Sequence, residues 1–310
     1  MMPATAENRA VVRKSGFLFN RPRLKLILLL GLPAIWFLVI YIYPLLHLLS
    51  QSFYTFDDFT MTVVRDFSLE NIRNLFSPAN ADIIIRTATM ALAVSVFSAV
   101  IAFPVAYYMT RHASGKMQAF LYISVILPMW TSYIVKAYSW TLILSQEGVA
   151  YWIIDALGLT SVLQAILDIP SIGGSTLSTS NVGRFLVFTY IWLPFMILPI
   201  QAALQRLSTS LLDASNDLGA RPFQTFRHVI LPLCIPGVIA GSIFTFSLTL
   251  GDYIVPQLVG PPGLFIGNMV YIQQGSIGNM PMAAAFTLAP ILIIAVYLYF
   301  AKKAGAFDAL

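Results

Sequence analysis

One cysteine, three histidines and very few charges are what 310 residues supply for chemistry. A lone Cys234 excludes an intramolecular disulfide framework, and without a CxxC pair or a Cys/His cluster a structural zinc site has no ligand set. His47, His112 and His228 are far apart and sit at the edges of different apolar runs, where each reads as an interfacial or loop residue rather than a ligand. There is no HExxH and no GxSxG, and Ser114-Gly115-Lys116-Met117 lacks the spacing and the Ser/Thr of a phosphate-binding loop. The chain is therefore not expected to be an enzyme, to bind a metal or cofactor, or to hydrolyse ATP itself. Charged residues make up only 10% of it, against 58% hydrophobic. With a mean hydropathy of +0.79 there is too little polar surface for water, so the solvent is a bilayer. The net charge of +5 could suggest nucleic acid, but Lys and Arg lie in short clusters beside apolar runs, which is the pattern of membrane topology.

What is present is length of apolar chain. Residues 1–25 carry Arg9, Arg13, Lys14, Arg21, Arg23 and Lys25 without a long apolar run and read as a basic cytoplasmic tail. Residues 26–50 hold no charge, ample for a core of roughly 30 Å at about 1.5 Å per residue. The run is too long for a signal peptide and no cleavage pattern follows it. Further helix-length runs at 87–110, 117–145, 185–205, 229–251 and 282–301 predict an all-α polytopic membrane protein with six spans. A loop at 206–228 and a short tail at 304–310 complete it. Residues 148–167 contain Asp155 and Gly158 and are expected to form an amphipathic surface helix rather than a seventh span.

The charges then orient the chain. With the N-terminus inside, inner segments hold Arg111 and Lys116, then Arg206, Arg221 and Arg227, then Lys302 and Lys303, while 146–183 and 252–281 contain no Lys or Arg. Both termini are expected in the cytoplasm. Prolines recur inside the spans and free backbone carbonyls, which suits either kinked packing or a wet path. Gly237 and Gly241 form a GxxxG spacing, expected to pack within this chain.

Two stretches stand out. The polar island 210–232 reads as a helix capped by Ser210 with Asp213 in a capping box, a bend at Gly219, then a second helix from Pro222 with Phe223, Phe226 and Ile230 on one face, running to Pro232. Lys136 is the one charge inside a span, and Asp252 at the end of the fifth is its natural opposite. Snorkelling and a helix-end carboxylate are the bland alternatives. Acting together with Trp130, Tyr133, Trp140 and Tyr253, the two would suit an organic cation on a solute path.

Asp213-Ala214-Ser215-Asn216-Asp217-Leu218-Gly219-Ala220, followed by Phe226 and Ile230-Leu231-Pro232, resembles the EAA loop of binding-protein-dependent ABC importer permeases, with Asp213 in place of the usual Glu and Ser215 in place of an Ala. Residues 127–132, 135–140, 251–260 and 266–268 are most similar to the spermidine/putrescine-type permeases; Arg86 stands where relatives commonly show Asn. The resemblance implies the type I importer permease fold in a bacterial inner membrane, with Asp213, Ala214, Ser215, Asp217, Leu218, Gly219, Ala220 and Phe226 coupling to an ATPase. It also implies a second permease subunit, two cytoplasmic ATP-binding subunits that use ATP and Mg, and a periplasmic solute-binding protein. The solute would be a polyamine, with an amino acid, an opine or another small solute as the alternative within transport. A membrane-embedded enzyme or a simple channel is the alternative outside it.

Overall fold

The computed structural model describes residues 22–303. Most of the expected basic tail, residues 1–21, and the tail 304–310 lie outside the described residues. The chain begins with α1 (Pro22–Phe37), a π-helical turn at Leu38–Ile42, and α2 (Tyr43–Gln51). A hairpin of β1 (Thr55–Asp57) and β2 (Thr62–Val64), a departure from the expected all-α chain, leads to α3 (Glu70–Leu75) and the long α4 (Pro78–Arg111). Next come α5 (Gly115–Trp130), α6 (Tyr133–Ile143), α7 (Val149–Ala156), α8 (Thr160–Leu167) and α9 (Asn181–Gln205). The rest is α10 (Thr209–Asp217), α11 (Pro222–Thr225), a π turn at Phe226–Ile230, α12 (Leu231–Leu250), α13 (Ile254–Leu258), α14 (Ile266–Ile272), a π turn at Gln273–Ile277 and α15 (Met280–Lys303).

Among the described residues five helices are long and apolar enough to cross a membrane, Leu29–Gln51, Pro78–Arg111, Asn181–Gln205, Pro222–Leu250 and Met280–Lys303, and the bent pair Gly115–Trp130 and Tyr133–Ile143 makes six if it is one span. The third expected span, 117–145, is not continuous. It breaks at Thr131, which is extended, and Ser132, which is not helical, and α5 and α6 meet at 101°. Pro128 has no N–H to offer Ser124, and the last carbonyls of α5 turn to side chains instead. Thr131 Oγ1 donates to Leu127 O at 3.4 Å and Lys136 Nζ to Pro128 O at 2.8 Å. The expected surface helix at 148–167 is likewise two helices, α7 and α8, parted at Gly158; at eight residues each, about 12 Å long, neither can cross.

Two π turns share one cause. A proline cannot donate to the carbonyl four residues back, so the residue before it reaches five back instead. Tyr43, preceding Pro44, donates to Leu38 O, and Leu231, preceding Pro232, donates to Phe226 O. Pro232 therefore lies inside one helical course, Pro222–Leu250, which joins the second helix of the polar island to the fifth expected span.

The core is stacked in three apolar clusters along α4, α9 and α12, which pack on one another. The GxxxG glycines set the α9–α12 approach within this chain, as expected. A Cβ at Gly237 would lie 2.6 Å from Ala203 Cβ, and one at Gly241 would lie 2.7 Å from Met196 Sδ. Hydroxyls tie α12 to its other neighbours, with Thr245 donating to Ser95 of α4 at 3.2 Å and Tyr297 of α15 donating to Ser242 at 2.6 Å. The first span is peripheral, resting on α15 with no described side chain buried. In the hairpin, bonds from the Phe59 N–H and the Thr60 hydroxyl hold the Asp57 carboxyl below its usual range.

Candidate functional site

The candidate residues fall at the two ends of α12, about 30 Å apart for 20 residues. At the N-terminal end, α10 closes in a Schellman motif: Ala220 N–H donates to Ser215 O at 3.1 Å and Gly219 N–H to Asn216 O at 2.8 Å, with Gly219 at φ +77°. The helix starts two residues earlier than expected. Ser208 occupies the cap position, and the Ser210 hydroxyl bonds Ser208 rather than closing a box with Asp213.

Across the bend, the Ser215 and Thr225 hydroxyls meet at 2.9 Å and both residues are buried. Phe226 packs edge-on against Phe103 at 5.4 Å. Ser215 and Phe226 thus turn inward and shape the loop, while Asp213, Ala214, Asp217, Leu218 and Gly219 face outward and Ala220 is half-buried. Phe223 does not share the face of Phe226 and Ile230. It is 69% exposed, and Leu218 is 88% exposed, so two large apolar side chains flank the bend with no cover from this chain. Phe223 was missed as a surface residue because its spacing fits an apolar stripe. The root of the loop is held by Arg111, whose guanidinium donates to Leu204 O at 3.1 Å and Leu207 O at 2.8 Å.

At the other end of α12 an open cleft of about 300 Å³ is lined by Tyr133, Trp192, Ser247, Asp252 and Tyr253, among others. Asp252 is buried. One carboxylate oxygen accepts the N–H groups of Ile254 at 2.8 Å and Val255 at 3.1 Å, capping α13, and the other accepts the Tyr133 hydroxyl. Tyr133 stacks on Trp192 at 5.7 Å and Tyr253 on Tyr271 at 5.1 Å.

Three of the six residues placed on a solute path by sequence therefore line the cleft: Tyr133, Asp252 and Tyr253. The other three do not. Trp130 is 84% exposed, Trp140 packs on Tyr190, and Lys136 does not meet Asp252. The ammonium of Lys136 instead caps the C-terminal end of α5, where the helix dipole favours a positive charge. Trp192 was missed because it is one aromatic among many in its span. Its Nε1 is buried with no hydrogen-bond partner among the described residues. Nor does any group of three or more His, Cys, Asp or Glu come together among them.

Comparison with known proteins bears on the family and the fold. The family described as binding-protein-dependent transport system inner membrane component matches residues 102–302. The chain is 68% identical over 296 residues, 96% of its length and 95% of the relative's, to the inner membrane ABC transporter permease protein YdcU of Escherichia coli (strain K12). It is 29% identical over 264 residues, 85% of its length and 91% of the relative's, to the spermidine/putrescine transport system permease protein PotB of the same organism. A shorter match of 33% over 111 residues, 35% of this chain and 41% of the relative, is to PotC of that transport system. Among solved structures, a chain of a bacterial ABC transporter involved in import of the acidic polysaccharide alginate superposes with a TM-score of 0.65 at 19% identity, covering 93% of this chain and 97% of that one.

Proposed function

This chain belongs to the family of binding-protein-dependent transport system inner membrane components, as a multi-pass permease subunit of an ABC importer, and from that premise we propose that it forms half of a translocation path for a polyamine. The observation that carries the solute reading is the cleft, where the Asp252 carboxylate lies among the rings of Tyr133, Trp192 and Tyr253. A fixed negative charge beside aromatic faces is a site for an alkylammonium. Similarity to PotB supports the same class.

In this proposal the chain adopts the type I importer fold with both termini in the cytoplasm. It pairs with a second permease, two ATP-binding subunits that use ATP and Mg, and a periplasmic receptor. The similarity to PotC supports a paired permease, and the uncovered first span offers surface for it. Closure of the ATPases moves the Gly219 loop, with the outward-facing Leu218 and Phe223 as its contacts, and the bonded bend passes that movement into α12.

A second reading, an amino acid or opine, is favoured by one observation. Trp192 lines the same cleft, and its N–H, buried and unpartnered among the described residues, is a donor that a solute carboxylate would satisfy once the ring turns to present it. Uptake of labelled putrescine by the assembled importer decides between them. Asp252→Asn should lower it about tenfold or more, the size of a charge-assisted contact. Unchanged uptake sinks the polyamine site, and competition by a zwitterion but not by a diamine favours the second reading.

A further inference from the structure

Arg184 is the largest fully buried side chain among the described residues and stands one residue before the apolar run that marks the fourth span. Among the described residues no carboxylate lies within ion-pair distance of it. Its guanidinium is satisfied by the chain itself: Nε donates to Val259 O at 2.8 Å, one terminal nitrogen to Asn181 Oδ1 at 2.9 Å, and the other to Pro261 O at 2.9 Å and Pro256 O at 3.5 Å. Phe265 covers it at 4.5 Å. The bridge from α13 to α14 is thus wrapped on one cation, and Gly260 passes it so closely that a Cβ there would lie 2.5 Å from the guanidinium.

That bridge is also what fixes the cleft. Its near end is α13, capped by Asp252, and its far end delivers Asn268, whose side-chain amide donates to Tyr253 O at 2.8 Å. Gly267 lies against the Asp252 carbonyl, 2.6 Å from where a Cβ would stand. Asp252 and Tyr253 therefore hang from both feet of an arch, and Arg184 grips its middle from α9.

We propose that Arg184 is a positioning residue for solute transfer: by binding three carbonyls of the 256–261 segment it sets where Asp252 and Tyr253 stand in the cleft. A single fork is needed for this, because the three acceptors diverge and one planar guanidinium meets them together; an ammonium presents its donors from a single atom. The proposal rests on the reading of the cleft as part of the solute path.

The test uses the assembled importer in proteoliposomes with Arg184→Gln and Arg184→Lys, each with and without Val259→Cys as a reporter. Val259 is buried in the apolar cluster beside the carbonyl that the guanidinium holds, and Cys234, the one native cysteine, is buried too. In Arg184→Gln, the concentration of loaded receptor at half-maximal uptake should rise about tenfold, the scale of a lost charge-assisted contact, with Val259→Cys open to an impermeant maleimide; Arg184→Lys should fall between. Unchanged half-saturation with the reporter still protected overturns the proposal. So does a loss confined to the amount of chain in the membrane, which marks a purely structural arginine. Normal uptake by Asp252→Asn defeats the path reading, and with it the role given to the arch, whatever the reporter shows.

Discussion

Gly219 and Gly260 both hold left-handed backbone, at φ +77° and +104°, in opposite surroundings. A Cβ on Gly219 meets nothing within 4 Å, whereas one on Gly260 would overlap the Arg184 guanidinium. The bend at one end of α12 is made by local bonds, the Schellman pair and the Ser215–Thr225 contact, none spanning more than ten residues. The arch at the other end is made by bonds spanning 72 to 77 residues. A glycine in the first place is needed for its dihedral angle alone, and in the second for the dihedral angle and the missing atom.

Substitution separates the two needs, and this is the largest effect expected. Gly219→Ala meets only the left-handed penalty of about 1–2 kcal/mol, and Gly219→Asn should recover much of it because Asn tolerates that region. Gly260→Ala meets the same penalty and displaces a buried cation from its acceptors, which raises the loss by about 3 kcal/mol or more. Gly260→Asn should recover nothing. Uptake normalised to inserted chain measures both series, and equal losses at the two glycines would break the comparison.

The bonded bend predicts a smaller effect. Ser215→Ala leaves the Thr225 hydroxyl buried without its partner and should cost about 1–3 kcal/mol, whereas Ser215→Ala with Thr225→Val removes both hydroxyls and should cost less than the sum of the single changes. The measurement is solute moved per ATP hydrolysed. Strict additivity would mean that the contact across the bend transmits nothing.

How much of this was legible follows the same division. The helix, bend and helix around Gly219 could be read because a polar island, a glycine and a proline signal it within twelve residues. Its start was misplaced by two because Ser208 and Ser210 are equally good caps by residue type. Spans could be read where apolar runs are long, yet the 101° break in the third could not. Thr131 and Ser132 are uncharged, and hydropathy averages over them. Lys136 invited a carboxylate partner, but its acceptor is the Pro128 carbonyl, a group that every residue carries and no sequence pattern marks. Arg184 was invisible for the same reason, three of its acceptors being backbone oxygens far along the chain.

A third left-handed position gives the smallest effect and sharpens the rule. Met61, at φ 53° in the turn between β1 and β2, occupies a conformation that the other two positions give to glycine. It is exposed, so its side chain gains little from packing, and the turn is held instead by Asp57 and Thr60. Met61→Gly removes a strain of about 1–2 kcal/mol but frees the unfolded chain by about 0.5–1 kcal/mol, so the net gain is below about 1.5 kcal/mol. Slower proteolytic cleavage of the 55–64 hairpin, with uptake unchanged, is the expected outcome. Faster cleavage would mean that the methionine side chain is held by something outside this chain. The hairpin would then be a contact surface, and the dihedral angle at 61 would be strained for the sake of a partner, as the one at Gly260 is shaped for Arg184.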